Sequence, residues 1–261
     1  MSDIFLGECL VMENREVAAG TFLLRLEAPA VARIARPGQF VMVRTGPSPA
    51  KGTSPLLKRP FSLHRIGSGG EIDLLYRVVG EGTSLLSQVR SLQGLEVMGP
   101  LGRGFEPPDP LPRAYLAAGG VGLAPLLALA ETLAGSTETI LFYGARSDDD
   151  LVSAPYLELF QCRVLLCTDD GSVGFHGPVT EPLAEVLEAS PAPVFACGPR
   201  PMLARVAELA AGAGVAAQVS MEANMACGMG ACLGCVVQTN EPAYTRVCLE
   251  GPVFRAEDIQ W

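Results

Sequence analysis

The sequence is poor in basic side chains, with 19 Lys and Arg residues against 28 Asp and Glu residues. The formal net charge is therefore −9, and the pI is near 4.8. Broad electrostatic binding of nucleic acid or of anionic lipid requires clustered Lys and Arg. The composition thus argues against both of these polyanions as binding partners, and it leaves acidic soluble partners and small ligands open.

The sequence also lacks long uninterrupted apolar stretches. The opening residues MSDIFLGECLVMENREV have no basic start followed by an apolar block, so they do not resemble a secretory signal. Residues 114–130 are uncharged, but they contain Gly119, Gly120, Gly122 and Pro125 and fall slightly short of the ~18 residues typical of a membrane span. We therefore expect a cytoplasmic protein without a membrane insertion, whose eight cysteines are thiols or metal ligands rather than disulfides.

Histidine is scarce as well. His64 and His176 are the only two, and neither lies in a sequence neighbourhood that suggests a catalytic triad. No local pair of carboxylates stands out for acid–base chemistry. We interpret both histidines as structural or surface residues.

The hydrophobic pattern changes once along the chain. Up to about residue 108, short alternating stretches such as TFLLRLEAP and GQFVMVRTG predict the strands of an antiparallel barrel or sandwich. One helix is predicted in GTSLLSQVRSL, with Thr83 or Ser84 as its N-cap. After the proline-rich EPPDPLP, strands alternate with helices, which predicts a parallel sheet. We expect a β domain over 1–108, an α/β domain over 109–217 and a C-terminal segment over 218–261 in which regular patterns fade.

Four cysteines of the C-terminal segment have a spacing typical of metal ligands. Thiolates are soft donors and select zinc, copper(I) or an iron–sulfur cluster. Gaps of four, two and twelve residues match plant-type [2Fe–2S] ferredoxins, whereas structural zinc usually takes two close pairs. Glycines between the cysteines allow the loop to wrap closely and to direct N–H groups at sulfur. We predict a [2Fe–2S] cluster, with zinc as the alternative, on Cys227, Cys232, Cys235 and Cys248.

Two turns that follow strands of the α/β domain favour a dinucleotide. One is the glycine-rich LAAGGVGLAPLL, and the other is CGPRPM, which begins at Cys197. Backbone N–H groups in such turns accept a pyrophosphate, and two turns at one sheet edge favour a dinucleotide, although each alone is compatible with tight packing. Arg146 is followed by aspartates at 148, 149 and 150, which would repel a 2′-phosphate, so NADH is favoured over NADPH.

Two stretches of the first domain suggest a second phosphate site. Arg59 in KRPFS and Arg77 in LYRVVGEGTSLL are candidates to pair with phosphates, and the N–H groups of Gly82 and Thr83 open the predicted helix. Taken alone, each arginine fits a simple surface charge better than a phosphate ligand.

The motifs RPFS, LYRVVGEGT, GGVGLAPL, CGPRPM and CGMGACLGC…CLEGPVF occur in this order over nearly the whole chain. This set resembles the electron transfer subunits of the heteromeric, NAD-dependent dihydroorotate dehydrogenases, within the ferredoxin reductase superfamily. The resemblance implies an antiparallel FAD-binding β-barrel, a parallel-sheet NAD-binding domain and a small [2Fe–2S] segment.

The resemblance also implies the site residues. The implied catalytic residues are Ser62, near the reactive flavin nitrogen, and Cys197, near the nicotinamide. Phe61 stands where many superfamily members have Tyr, which removes one hydroxyl contact to the flavin and leaves stacking. The implied FAD site comprises Arg59, Pro60, Phe61, Ser62, Leu75, Tyr76, Arg77, Gly82 and Thr83. The implied NADH pocket comprises Gly119, Gly120, Val121, Gly122, Cys197, Gly198 and Pro199.

The number of electrons that each cofactor exchanges sets the expected order of electron transfer. NADH gives two electrons as a hydride, a [2Fe–2S] cluster takes one at a time, and a flavin does both, so the flavin lies between them. The resemblance implies an FMN-containing catalytic partner that oxidises dihydroorotate to orotate in pyrimidine biosynthesis, with two copies of each chain. Two alternatives stay open: the same chemistry in a hydrogenase, sulfite reductase or ferredoxin transhydrogenase subunit, or a non-enzymatic metal-binding redox sensor.

Overall fold

The structure is a computed structural model that describes residues 4–45, 55–152 and 154–261. No helix within these residues combines the length and the apolar character needed to cross a bilayer. The uncharged residues 114–130, which approach the length of a membrane span, divide into a strand, a turn and a helix.

The N-terminal half forms a closed six-stranded antiparallel barrel, as the alternating pattern predicts. Around the barrel the strand order is β1-β2-β5-β4-β3-β6, and β6 pairs with β1 to close it. A short helix α1 (Pro29–Ala32) follows β2, and a second helix α2 (Glu81–Ser87) follows β5. The six strands are β1 (Phe5–Ala18), β2 (Thr21–Glu27), β3 (Phe40–Val43), β4 (Arg59–Ile66), β5 (Glu71–Arg77) and β6 (Gly94–Leu101).

Inward-facing aliphatic side chains fill the barrel. They alternate along the strands with residues that face outward, which is the period-two pattern of a half-buried strand. Burying each of them removes apolar surface from water and contributes roughly 1.5–3 kcal/mol. The fully buried members include Leu24, Leu26, Val41, Val43, Leu63, Ile72, Leu74 and Val97.

Helix α2 begins at a different residue from the one predicted. It starts at Glu81, with Gly80 before it, rather than after an N-cap at Thr83 or Ser84. The hydroxyl of Thr83 accepts hydrogen bonds from the backbone N–H groups of Val79 at 2.9 Å and of Gly80 at 3.2 Å. Thr83 therefore lies within the helix, and its hydroxyl stabilises the turn that precedes α2.

The second half is an α/β domain built on a seven-stranded sheet. Its strands are β7 (Arg113–Gly119), β8 (Glu138–Ala145), β9 (Arg163–Thr168), β10 (Phe175–His176), β11 (Val194–Cys197), β12 (Ala217–Ser220) and β15 (Val253–Arg255). The strand order is β10-β9-β8-β7-β11-β12-β15, and all neighbours are parallel except β12 and β15. The helices are α3 (Leu123–Leu133), α4 (Ala154–Leu157), α5 (Thr180–Ala189) and α6 (Arg200–Ala213).

The helices follow the sequence signals closely. Helix α3 begins directly after the Gly120–Gly122 turn, and nine of its 11 residues are buried. Helix α6 ends at Gly214, whose φ of 67° is the left-handed conformation that favours glycine at a helix C-terminus. The carboxyl ends of β7, β11 and β12 lie side by side, since Cys197 is in register with both Ala118 and Ser220.

The C-terminal segment is more regular than the sequence pattern predicts. It contains a two-stranded sheet of β13 (Val236–Gln238) and β14 (Tyr244–Arg246), and β15 joins the large sheet. Each of these strands is three residues long, which is too short to show alternation. The boundaries at 108 and 217 stay predictions, although β15 ties the third predicted unit to the second.

Candidate functional site

A cavity of about 470 Å³ lies between the barrel and the α/β domain, and we call it the flavin cavity. This volume is within the ~300–1,000 Å³ typical of cofactor sites. The nine residues that the resemblance implies for FAD all line it. They are Arg59, Pro60, Phe61, Ser62, Leu75, Tyr76, Arg77, Gly82 and Thr83. The structure brings these residues together from β4, β5 and α2, while their individual roles stay predictions.

The cationic part of the flavin cavity is formed by Arg59 and the start of α2. Arg59 Nη1 donates a hydrogen bond to the carbonyl of Leu57 at 2.8 Å, which orients the guanidinium. Gly82 packs directly against this side chain, because a Cβ at residue 82 would lie 3.2 Å from Arg59 Nε. A guanidinium beside the first N–H groups of a helix is a donor set that suits a phosphate.

The apolar part of the flavin cavity is formed by aromatic and aliphatic side chains. Phe61 and Tyr76 meet edge to face, with ring centroids 5.6 Å apart. Burial raises the pKa of Tyr76, and its neutral hydroxyl donates to Asn14 Oδ1 at 3.1 Å. Ser62 supplies a hydroxyl beside this apolar wall. A phosphate-binding donor set next to a flat apolar wall fits the two chemical parts of FAD.

A second cavity of about 420 Å³, which we call the nucleotide cavity, opens at the carboxyl edge of the sheet. The predicted residues that line it are Gly119, Gly120, Val121, Gly198 and Pro199. Gly122 and Cys197 do not line it. A Cβ at residue 122 would lie 2.2 Å from the carbonyl oxygen of Cys197, so Gly122 allows its turn to pack against the end of β11.

Cys197 lines neither of the two cavities. Its side chain is buried at the end of β11. Burial raises the pKa of its thiol to about 12, the negative charge of Glu222 adds to this, and a hydrogen bond with Ser220 opposes it. The thiol is therefore neutral near pH 7, and its catalytic role stays a prediction.

The two cavities share a wall. Arg77, Val121 and Glu222 line both of them. Burial raises the pKa of the Glu222 carboxyl. The two cavities therefore adjoin, and hydride transfer between two bound cofactors requires adjoining sites, because the reacting atoms must come within about 3–3.5 Å of each other.

An acidic residue lies between two arginines of the nucleotide cavity. The Asp150 carboxylate accepts from Arg77 Nη2 at 2.6 Å and from Arg146 Nε at 3.1 Å, and all three side chains line the cavity. Burial acts to raise the pKa of Asp150, but the two guanidinium groups outweigh it and hold this pKa below its usual range. The positive charge of Arg146 is thus partly neutralised by the Asp150 carboxylate.

Sequence reasoning missed one side of the flavin cavity. The missed residues belong to the stretch that connects β12 to the cysteine loop: Ser220, Met221, Glu222, Ala223, Asn224 and Met225. They carry no motif. Their signal was positional, because the end of a parallel strand reaches the same sheet edge as the two predicted turns.

The four predicted cysteines form two pairs. Cys227 is hydrogen-bonded to Cys232, and Cys248 is hydrogen-bonded to Cys235. Nowhere in the described parts of the chain do three His, Cys, Asp or Glu side chains converge as a single bound ion requires. A [2Fe–2S] cluster takes two ligands on each of two irons. Two pairs of thiols match this requirement of two ligands on each iron.

Backbone N–H groups surround the paired sulfurs. Gly230 N donates to Cys248 Sγ at 3.1 Å, and Cys232 N donates to Cys227 Sγ at 3.4 Å. Burial acts to raise the pKa of Cys227, but N–H donors from Met229 and Cys232 outweigh it and lower this pKa to about 6. The loop thus stabilises thiolate charge at Cys227, whereas burial and the neighbouring Cys235 raise the pKa of the Cys248 thiol to about 12.

One side of the cysteine loop is buried and the other is open. Cys235 and Cys248 are buried, whereas Cys232 is exposed. Gly228 faces the barrel, since a Cβ there would lie 2.7 Å from Met42 Cγ, and its φ of 70° also favours glycine. The same segment carries large exposed apolar side chains, which we call the cysteine-loop surface: Met229, Leu233, Val236, Tyr244 and Leu249.

Comparison with known families agrees with this arrangement. Residues 222–260 match the model for the iron–sulfur cluster binding domain of dihydroorotate dehydrogenase B. Residues 116–208 match the model for the oxidoreductase NAD-binding domain. The two matched ranges contain the cysteine loop and most of the sheet that bears the nucleotide cavity.

Curated relatives cover the whole chain. The chain is 38% identical, over the full length of both sequences, to dihydroorotate dehydrogenase B (NAD(+)), electron transfer subunit, of Desulforamulus reducens. It is also 38% identical to the protein of the same name from Geobacillus thermodenitrificans, over 95% of this chain and 96% of the relative.

Among solved structures, an NADH-dependent reduced ferredoxin-NADP oxidoreductase involved in flavin-based electron bifurcation has a similar fold. Its TM-score is 0.85 at 28% sequence identity, and the match covers 100% of this chain and 92% of that one.

Proposed function

Because this chain belongs to the family of dihydroorotate dehydrogenase B (NAD(+)) electron transfer subunits, we propose that it exchanges electrons between NAD(H) and a partner that oxidises dihydroorotate to orotate. The chain is an oxidoreductase subunit that uses FAD, NAD and a [2Fe–2S] cluster. The adjoining flavin and nucleotide cavities, which share Arg77, Val121 and Glu222, carry this proposal. They belong to the same chain as the paired cysteines.

The residues of this chain bind and position; the cofactors supply the electron chemistry. When bound, FAD connects two-electron hydride exchange with one-electron iron–sulfur chemistry. Arg59 and the N–H groups at the start of α2 bind phosphate, and Phe61 bounds the ring. The Gly119–Val121 turn approaches the dinucleotide from the other cavity.

The oxidation of dihydroorotate belongs to the partner. His64 is buried with a pKa lowered to about 4 by burial, so this histidine is neutral and enclosed rather than placed for acid–base work. His176 is an exposed residue at the sheet edge. The partner is an FMN-containing subunit, two copies of each chain assemble, and the physiological direction is reduction of NAD⁺ in pyrimidine biosynthesis.

The cysteine-loop surface is the docking site for that partner. Leu233 and Tyr244 are 60% and 61% exposed, and exposed apolar side chains beside a redox centre favour a protein interface. On the barrel, Leu6 is also exposed, and it is paired in register with Met98, which belongs to the same hydrophobic core as Cys235 and Cys248. Docking here brings the partner's flavin toward the open side of the cluster.

A second candidate function is the same electron transfer with a different partner. The full-length similarity to the NADH-dependent ferredoxin-NADP oxidoreductase favours it. That assignment keeps the cavities and the cluster and changes only what docks on the cysteine-loop surface.

Co-expression with an FMN-containing dihydroorotate dehydrogenase catalytic subunit, followed by a coupled assay, tests the proposal. We expect a complex that contains FAD, FMN, iron and acid-labile sulfide, whose visible spectrum is bleached by NADH or by dihydroorotate. It should reduce NAD⁺ only when both chains are present. Zinc in place of iron, or no flavin in the isolated chain, would refute the cofactor assignment, whereas a full cofactor set without coupling would favour the second candidate.

A further inference from the structure

We propose that Arg246 and Glu250 form a charge pair that tunes the reduction potential of the cluster, with Arg246 raising it and Glu250 lowering it. This inference rests on the proposed function, because it requires a two-iron cluster at the four cysteines. It goes further by assigning a role to two residues that are not ligands.

Arg246 reaches from β14 into the cysteine loop. Its Nη1 donates a hydrogen bond at 3.0 Å to the carbonyl of Gly230, which is 16 residues away in the chain. The N–H of the same glycine donates to Cys248 Sγ at 3.1 Å. One residue, Gly230, therefore binds the guanidinium through its carbonyl oxygen and the Cys248 sulfur through its N–H.

Glu250 holds this guanidinium in place. Arg246 Nε donates to Glu250 Oε2 at 3.0 Å, Nη2 donates to Oε1, and the backbone N–H of Arg246 donates to Oε2 at 3.1 Å. A carboxylate that binds two N–H groups of one guanidinium fixes its plane as well as its position. The two residues also bracket the ligand Cys248 in the chain.

The surrounding turn makes this arrangement rigid. The N–H groups of Leu249, Glu250 and Gly251 all point to the carbonyl oxygen of Arg246. Both charged side chains are only 32% exposed, so solvent screens them less than it screens a freely exposed pair. Two opposite charges are thus held in place beside the cysteine loop, with the guanidinium bound to the loop itself through Gly230.

Electrostatics gives the sign of each effect. Reduction adds one negative charge to the cluster, so a nearby cation stabilises the reduced form and a nearby anion destabilises it. Arg246 is the member that contacts the loop itself, through Gly230, whereas Glu250 contacts the loop only through Arg246. If the ion pair acted only by holding the shape of the loop, there would be no reason for the two substitutions to shift the reduction potential in opposite directions.

The test is a redox titration of the holoprotein in which the reduced cluster is followed by electron paramagnetic resonance. Arg246→Gln should make reduction at least about threefold less favourable, which is about 28 mV at 59 mV per tenfold change for one electron. Glu250→Gln should shift the potential in the positive direction. Arg246→Lys should stay near the parent value, and the double variant Arg246→Gln with Glu250→Gln should lie between the two single variants.

Arg205→Gln is the matched control, because Arg205 forms a similar ion pair with Glu208 on α6, outside the cysteine loop. It should leave the potential unchanged. Iron content is measured for every variant. If Arg246→Gln does not retain iron, the positive shift expected of Glu250→Gln and the retained potential of Arg246→Lys decide the matter.

Shifts of the same sign for the two single variants, or a potential unmoved in both, would overturn the inference while leaving the proposed function standing. Equal shifts for Arg246→Lys and Arg246→Gln would do the same. A parent protein without any reducible iron–sulfur signal would instead remove the proposed function.

Discussion

Arg77 Nη2 donates to Asp150 Oδ1 at 2.6 Å, and this ion pair joins the last residue of barrel strand β5 to the turn that follows strand β8. Both residues line the nucleotide cavity, and Arg77 also lines the flavin cavity. Asp150 therefore competes with any anionic ligand for the guanidinium of Arg77. The pair connects the two domains at the position where their ligands would meet.

Asp150→Asn should weaken the discrimination against NADP⁺. The substitution removes the negative charge that partly neutralises Arg146 and Arg77, so a 2′-phosphate gains attraction. A partly exposed pair is worth roughly 0.5–1 kcal/mol, so the ratio of the NADP⁺ and NAD⁺ dissociation constants should fall about threefold. Calorimetric titration of both nucleotides measures this ratio. The control Asp149→Asn removes the same charge from the adjacent residue. An equal change in the ratio for this variant would contradict the role of Asp150.

Gly82→Ala should weaken FAD binding. A Cβ at this position would lie 2.9 Å from Thr45 Oγ1 and 3.2 Å from Arg59 Nε, so the Thr45 hydroxyl must shift and the Arg59 side chain must give way slightly. Overpacking of this kind costs about 1 kcal/mol or more, which predicts a rise of about fivefold or more in the FAD dissociation constant. Flavin fluorescence released on dilution measures it. Gly212→Ala, where a Cβ meets nothing within 4 Å, should retain FAD like the parent protein.

Cys232→Ala should separate the two halves of the relay. Cys232 is the exposed member of the cysteine pairs, and its loss removes one cluster ligand without touching either cavity. NADH oxidation by an artificial flavin acceptor should continue at near the parental rate, while electron transfer to the partner should be abolished. A variant that still couples dihydroorotate to NAD⁺ would show that the proposed order of cofactors is wrong.

Leu233→Asp should weaken binding of the partner at least tenfold without loss of FAD. A charge buried at the centre of an apolar interface costs more than the loss of the contact itself. Leu233 has a φ of 58°, a conformation that Asp tolerates well, so the variant introduces no backbone strain. Size-exclusion chromatography with the partner gives the affinity. Leu159→Asp, which changes a similarly exposed leucine of the α/β domain, should bind normally; equal losses would contradict the assigned surface.

The stability of the protein should fall on acidification because of His64. Its Nε2 lies 2.5 Å from Tyr156 Oη, and burial lowers the pKa of this fully enclosed imidazole from 6.5 to about 4. The unfolded chain then binds a proton below about pH 6.5 that the folded chain does not bind until about pH 4. Stability from this group is therefore present above pH 6.5 and is lost as the pH falls toward 4.

Between pH 7 and pH 5 the loss from His64 should be about 2 kcal/mol. Urea unfolding of the parent protein and of His64→Gln at both pH values isolates this contribution, because other titrating groups are common to both proteins. The variant should be less sensitive to the change in pH. The same sensitivity in both proteins would mean that His64 does not titrate as described.

Local sequence patterns sufficed for the barrel and for the α/β sheet. Alternation in stretches such as TFLLRLEAP gives β2, because this signal depends on neighbours in the chain. The assignment of the four cysteines as cluster ligands stays a prediction, although the structure brings them into two pairs. The predicted start of α2 was wrong because the hydroxyl of Thr83 accepts hydrogen bonds from the N–H groups of the preceding turn. Helix propensity alone does not reveal these contacts.

The remaining features depend on contacts between distant residues. Ser220–Met225 line the flavin cavity only because β12 lies beside β11 in the sheet. Gly122 and Cys197 carry motif signals, yet their close packing removes them from the cavity surface. The Arg77–Asp150 pair crosses two domains, and no spacing rule links positions 73 residues apart.

Strand β15 is the outermost strand of the large sheet, and it pairs antiparallel with β12 through Gln218–Arg255 and Ser220–Val253. The iron–sulfur portion is consequently not a detachable module. Transfer of the iron–sulfur segment to another reductase would require the transfer of β12 as well. Truncation of the chain before this segment would leave β12 as an unpaired edge strand, which favours self-association. A transferable iron–sulfur domain would therefore need a boundary ahead of β12, and not the boundary at residue 217 that the motifs suggest.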